Sequence, residues 1–329
     1  MAENFIEQLD QAWEVVKANP DAHVRVPADV EPLLSLAREL RGLPRAEFKF
    51  KLKENLMRRA SMESPGTATA AKPVDLKREG FHTITPYLAV REARELIEFV
   101  KKAFGGEGTV HGTGSEGGIH AEYKIGDSIV MIGGGGSWKG SAKITALHVY
   151  VDDVDDIYQK ALAAGATSMN PPIEAHGERV ASVQDLAGNE WYIAKRLSGS
   201  HTDEGLRNVN VYLHPQGAAQ MIEFLKESFG AEEIMSHRAT PDGPVLHAKI
   251  KIGDSVLEMG EGHGRYVTLP SMLFLYVDDV EAWHRRAVAG GATSIEEPRD
   301  QPYGDRVGAV TDPFGNTWYM ATPIQKTGG

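Results

Sequence analysis

The chain contains no cysteine, which excludes disulfides, thiolate nucleophiles and cysteine-based zinc sites. It is also short of positive charge: 35 lysines and arginines stand against 46 acidic residues, a net charge of -11. Nucleic acid and anionic membrane surfaces need a basic partner, so neither is expected. No apolar run approaches the ~18 residues of a membrane span. The acidic opening MAENFIEQLD has no apolar stretch of the signal-peptide kind, and a cytoplasmic location is expected. No Ser-His-Asp order or nucleophile elbow stands out. The glycine run at 133–136 reads as a mobile loop by a cleft rim, because it lacks the Lys-Ser/Thr and strand–helix setting of a phosphate loop. The remaining composition, 41% hydrophobic and 25% charged, is that of a globular protein, and 329 residues leave room for two domains.

Phe5, Leu9, Trp13 and Val16 recur at helical spacing, as do Val30, Leu33, Leu34, Leu36 and Leu40. Residues 1–61 are therefore read as a small helical N-terminal region. Its span 3–61 is expected to serve as a packing or self-association arm, or to dock a protein partner. Residues 62–80 lack periodicity, are rich in Pro, Ala, Thr and Gly, and read as a flexible linker.

A duplication follows. HAEYKIGDSIVMIGGG from His120 is answered by HAKIKIGDSVLEMGEG from His247. YVDDVDDIYQKALAAGATS from Tyr150 is answered by YVDDVEAWHRRAVAGGATS from Tyr276, and DLAGNEWYIA from Asp185 by DPFGNTWYMA from Asp312. A near-constant offset of about 126 residues marks a tandem repeat. The copies span 81–197 and 207–324, with a linker at 198–206 and a tail at 325–329. Within the first copy, alternation and helical periodicity predict a strand at 82–90, a helix at 92–104, and strands at 107–112, 118–125 and 128–133. A strand at 144–151, a helix at 153–164 and three short strands complete it. Gly126 and Asp127 form a two-residue hairpin turn. The fold class is α+β: two tandem domains, each of paired βαβββ units.

These motifs, in this order and twice over, resemble the vicinal-oxygen-chelate superfamily, the glyoxalase/bleomycin-resistance fold, and its PhnB-like branch in particular. The resemblance covers most of the chain after residue 80. It implies eight-stranded sheets curled into cups that hold a ligand, formed within one domain or across two. It also implies a divalent metal held by His or Glu from the first, fourth, fifth and eighth strands. Aligned by strand, those positions hold Pro86, Met131, Ala146 and Tyr192 in the first copy, and Val211, Glu258, Met272 and Tyr319 in the second. At most one standard ligand survives in any grouping, so no metal and no other cofactor is expected.

Alternation places Ala146, His148, Tyr150, Met272, Phe274, Tyr276, Tyr192 and Tyr319 toward the cups, and Leu147, Val149, Trp191 and Trp318 toward the core. If cups are shared between copies, one is apolar and aromatic (Met131, Met272, Phe274, Tyr276, Tyr319, with Glu122 beside them). The other is polar (Glu258, Lys249, His148, Tyr150, Tyr192). Hairpin counting puts Lys249 opposite Glu258. Glu258 is thus either the cross-strand partner of Lys249 or a ligand-binding carboxylate. His120, His247, His148 and Glu258 are the acid–base candidates. Trp138 is the candidate lid aromatic. Two Arg-bearing turns, HGERVASV and YGDRVGAV, read as bends with an anion-binding alternative. The expected function is capture of a small, partly aromatic molecule without a catalytic metal. The alternatives are a lyase, isomerase or dioxygenase with a displaced metal site or metal-free acid–base chemistry, and a scaffold that recruits a partner through its N-terminal helices.

Overall fold

The computed structural model describes Arg78 and residues 80–113, 117–241 and 243–324. The expected N-terminal helices and nearly all of the 62–80 linker lie outside these residues. The element order is β1 (Ile84–Val90), α1 (Ala93–Phe104), β2 (Glu107–Thr113), β3 (Ile119–Ile125) and β4 (Ser128–Gly134). Then come β5 (Ala146–Tyr150), α2 (Val154–Ala163), β6 (Thr167–Ala175), β7 (Glu178–Gln184) and β8 (Glu190–Arg196). The second copy repeats the pattern: β9 (Val209–Leu213), α3 (Ala218–Phe229), β10 (Glu232–Arg238), β11 (Val245–Ile252) and β12 (Ser255–Met259). It ends with β13 (Met272–Tyr276), α4 (Val280–Ala289), β14 (Thr293–Asp300), β15 (Asp305–Thr311) and β16 (Thr317–Pro323).

Repeat and sheet divide the chain differently. One eight-stranded sheet runs β14-β15-β16-β13-β1-β4-β3-β2 and the other β10-β11-β12-β9-β5-β8-β7-β6. Each sheet therefore joins one βαβββ unit from each copy. The seams are antiparallel pairings of β1 with β13 and of β5 with β9. The cups are shared between the copies.

The twice-written IGDS has a structural role in this exchange. Asp127 accepts from the backbone N–H of Asn208 (2.9 Å), and the Asn208 side chain accepts from the Asp127 N–H (2.9 Å). Symmetrically, Asp254 accepts from the Thr83 N–H (2.7 Å) and Thr83 Oγ1 from the Asp254 N–H (3.1 Å). Ser128 and Ser255 accept from the first residues of the facing strands, Val209 and Ile84. Each turn glycine has positive φ, and a Cβ there would lie 2.2 Å from Asn208 or 2.3 Å from Thr83. The turns thus bind each copy to the other, and glycine allows the close approach.

The helices bury their apolar stripes against both sheets in one core. In α1 the buried residues Ala93, Leu96, Ile97, Val100 and Ala103 follow helical spacing, and Gly105 closes the helix in the left-handed conformation. Asp153 and Asp279 cap α2 and α4 by accepting from Asp156 N–H and Ala282 N–H. Trp191 and Trp318 lie fully buried on the core side, as alternation predicts. Trp191 stacks on Phe104 at 4.8 Å, and each indole N–H donates to the aspartate of its own turn, Asp185 or Asp312.

The glycine run departs from the loop expectation. Gly133 and Gly134 complete β4, and a Cβ on Gly133 would meet the Tyr87 ring at 2.7–2.8 Å. Glycine there leaves room for that ring. Trp138 follows a turn and lies half-buried against the Gly134 backbone. The two Arg-bearing turns are bends: Arg179 is bidentate to Asp155, and Arg306 pairs with Glu281 and Asp300.

Candidate functional site: two unlike cups

Paired residues in register share a sheet face, which identifies the side chains on the face away from the helices. In the first sheet Met131 is paired with Tyr87 on one side and Glu122 on the other, and Phe274 with Thr85 and Tyr319. Met131, Phe274 and Tyr276 are buried there together, with Tyr87 and Tyr319 packed on them. Met272 shares their alternation and is half-exposed. In the second sheet Glu258 is paired with Tyr212 and Lys249, and His148 with Asn210 and Tyr192. We call these faces the Met131 cup and the Glu258 cup.

Two expected positions are corrected. Pro86 pairs with Leu273 and Val211 with Leu147, so both face the core. The cup-facing residues of the first strands are Thr85 and Tyr87, and Asn210 and Tyr212. ITPYLAV and VNVYL are apolar almost throughout, so alternation alone gives them no phase. This error hid Tyr87 and Tyr212 from the sequence reading.

The two cups share one motif. The Tyr87 hydroxyl is 3.1 Å from His120 Nδ1, and the Tyr212 hydroxyl 3.0 Å from His247 Nδ1. Each histidine then turns Nε2 to a carboxylate, Glu122 at 3.4 Å or Glu258 at 3.5 Å. The acid comes from β3 in one cup and from β12 in the other.

Glu258 has a side chain only 2% exposed, and His148 Nδ1 donates to its Oε2 at 2.6 Å. Lys249 stands opposite Glu258 in register, as counted, but its amine bonds Glu204. The partner of Glu258 is His148, from the other copy. Burial opposes the charge on each, and the mutual attraction outweighs it: the Glu258 carboxyl is lowered and the His148 imidazole raised. Glu178 extends the cluster, lying 3.9 Å from His148 and accepting from the Tyr150 hydroxyl at 2.9 Å. Beside it on the same sheet face lies a half-exposed aromatic row. Tyr212 stacks on His247, Tyr192 meets Tyr212 edge-on at 5.5 Å, and Tyr266 stacks on His214 at 5.3 Å. Burial and the nearby carboxylates push the Tyr192 and Tyr212 phenols up, so both stay protonated donors.

The lead-in to each copy packs into one of the cups. Phe81 is buried with Met131, edge-on to Tyr276 at 5.5 Å. Leu206, 1% exposed, is buried with Tyr150 and Val256, and His201 stacks on Tyr150 at 4.6 Å. Each lead-in adds an ion pair: Arg78 with Glu122, and Glu204 with Lys249 and Arg196. Glu122 and Lys249 hold the same place in β3 and β11, so the polarity is reversed. A groove of about 620 Å³ runs beside the second lead-in, lined by Glu204, Leu206, Lys251 and Val256 among others. Glu258 and His148 do not line it.

The metal that the resemblance implies does not fit the residues at the corresponding strand positions of the Glu258 cup. Asn210 spends its amide on the Arg207 backbone, Ala146 offers no donor, the Tyr192 hydroxyl donates to Glu190, and Glu258 is bonded to His148. Among the described residues no three His, Asp or Glu side chains converge in a way that could hold a metal ion.

The model of the glyoxalase/bleomycin resistance protein/dioxygenase superfamily matches residues 214–320. The chain belongs to this superfamily. Solved structures similar to this chain include glyoxalase I of maize, Zea mays: 16% identical, TM-score 0.58, covering 73% of this chain and 92% of that one. At that identity the likeness is one of fold. An uncharacterised protein of Mycobacterium tuberculosis is 33% identical over 149 residues, 40% of this chain and 87% of its own length. One of Mycobacterium bovis is 35% identical over 120 residues, 33% of this chain and 78% of its own. Among the described residues no helix is long and apolar enough to cross a membrane.

Proposed function

We propose that the protein binds a small, partly aromatic molecule in the Glu258 cup, without a catalytic metal. The observation that carries this reading is the buried Glu258–His148 pair beside the half-exposed rings of Tyr192 and Tyr212, with Tyr266 joined to them through His214. A ligand site needs apolar and aromatic surface with a few fixed polar groups to orient the guest. The rings supply the first, and His247, itself held by Glu258, the second. In the Met131 cup the matching floor is packed Met131 and Phe274. Drug sequestration of the bleomycin-resistance kind is the family model for this activity.

The test is calorimetric titration with compounds selected from a diverse library by thermal stabilisation of the full chain. Tyr212→Ala is expected to weaken binding by about 1–3 kcal/mol, the worth of one buried aromatic contact. Chelation with EDTA is expected to change nothing. Binding that vanishes on chelation and returns with a divalent cation would overturn the reading.

The same pair supports a second reading, metal-free acid–base catalysis of a lyase or isomerase kind. His148 and Glu258 lie within proton-transfer distance, 2.6 Å. Turnover of a bound compound that is lost in Glu258→Gln, while binding persists, would favour it.

A further inference from the structure

The Arg78–Glu122 contact has the form of a complexed ligand. Glu122 is built into the sheet: β3 pairs with β2 and β4 on either side, and the Glu122 side chain is 13% exposed. Arg78 comes from outside the sheet, and its side chain is 54% exposed. Its guanidinium makes two bonds to the carboxylate, Nη2 to Oε1 at 2.7 Å and Nη1 to Oε2 at 3.1 Å. It lies 4.2 Å from the centre of the Phe81 ring, and Nη2 donates to the Tyr276 hydroxyl at 3.3 Å. His111 and His120 complete the surroundings of the carboxylate at 3.2 and 3.4 Å. Burial alone would raise the Glu122 carboxyl. The hydrogen bonds from His120 and Arg78 outweigh it and bring it down to about 2, so the acceptor is charged at neutral pH.

We propose that the Met131 cup carries a binding site for a planar organic cation, an amidinium or guanidinium attached to a ring, which Arg78 fills as a tethered guest. The fork of a guanidinium matches a carboxylate in two bonds, and its face rests on an aromatic ring. An aryl amidinium offers the same fork and a flat face to set on a ring. The Glu258 cup sharpens the assignment, because there the lead-in brings an acid, Glu204, to a base, Lys249. An ion pair from the lead-in recurs in both cups, with its polarity reversed. The acidic chain as a whole, at -11, also favours a cationic guest. This inference concerns the other cup and does not rest on the proposed function.

Benzamidine is the probe, titrated into the full chain by calorimetry. A tethered guest competes at millimolar effective concentration, so wild type is expected to bind weakly. Arg78→Ala should bind at least about ten-fold tighter once the competitor is gone, with Arg78→Lys between them because lysine is a poorer match to the fork. Benzamide, the neutral analogue, should not bind. Glu122→Gln placed in the Arg78→Ala background should abolish the gain. Thermal melts establish that each variant folds. Should Arg78→Ala not fold, Arg78→Lys carries the comparison with wild type. Equal affinity of the freed variant and wild type, or a gain that survives Glu122→Gln, sinks the proposal.

Discussion

Where the Met131 cup packs Met131 with Phe274, the Glu258 cup sets Glu258 against His148 at the same strand positions. The two sheets share strand order and a Tyr–His pair in each. The difference shows how a duplicated scaffold acquires polar chemistry. A lone carboxylate in place of Met131 would be buried without a partner, at a cost of several kcal/mol. The repeat supplies the partner from the other copy, where Phe274 is matched by His148. One apolar pair has become one ionic pair. A change that looks isolated along the chain is half of a coupled change across the seam.

The largest expected effect comes from uncoupling that pair. His148→Phe takes away the 2.6 Å partner of the buried Glu258, leaving only His247 at 3.5 Å, and should cost about 3–5 kcal/mol in urea unfolding. Adding Glu258→Met makes the cup resemble its counterpart and should recover most of the loss, because a buried ion pair is often replaceable by packed apolar groups. If the double variant is as unstable as the single one, the two cups are not equivalent scaffolds. Ligand binding in the Glu258 cup should be lost in both variants.

The lead-in ion pairs give a smaller contrast. Glu204→Ala strands the buried Lys249 amine and should cost about 1–3 kcal/mol. Arg78→Ala removes a half-exposed guanidinium from a carboxylate that keeps His111 and His120 nearby. It should cost about 0.2–1 kcal/mol. The reverse order, read from denaturant midpoints, would mean that Arg78 holds the fold rather than filling a seat.

The smallest effect is in pH. The lowered Glu258 carboxyl contributes stability that is present above its unfolded value, ~4.3, and is lost as pH falls through the folded value. The raised His148 imidazole contributes stability present below ~6.5 and lost as pH rises through its folded value. Wild type should therefore gain most over the His148→Phe, Glu258→Met variant between these limits, and lose that advantage on either side. A difference between their melting temperatures that is flat with pH would show that the pair is uncharged.

Much of this protein was legible along the chain. The sixteen strands and four α-helices of the described residues follow from alternation, helical spacing and the duplicated motifs, because those patterns are local. Leu147, Val149, Trp191 and Trp318 were placed in the core by period two, and Lys249 opposite Glu258 by counting out from a two-residue turn. The phase of β1 and β9 was not legible, since apolar residues stand on both of their faces. Nor was the use of Arg78, Phe81, Glu204 and Leu206, whose surroundings in sequence look like spacer.

Which unit pairs with which, and so which residues share a cup, depends on seam contacts between strands of different copies, 60–66 positions apart for β5 and β9 and 187–191 for β1 and β13. His148 and Glu258 are separated by 110 positions and meet at 2.6 Å only because β5 and β12 flank β9 in one sheet. Local pattern sets how each segment folds and which face it buries. Partnership across the seam is a property of the assembled sheets, where register and the docking of the two Gly-Asp turns bring distant side chains together.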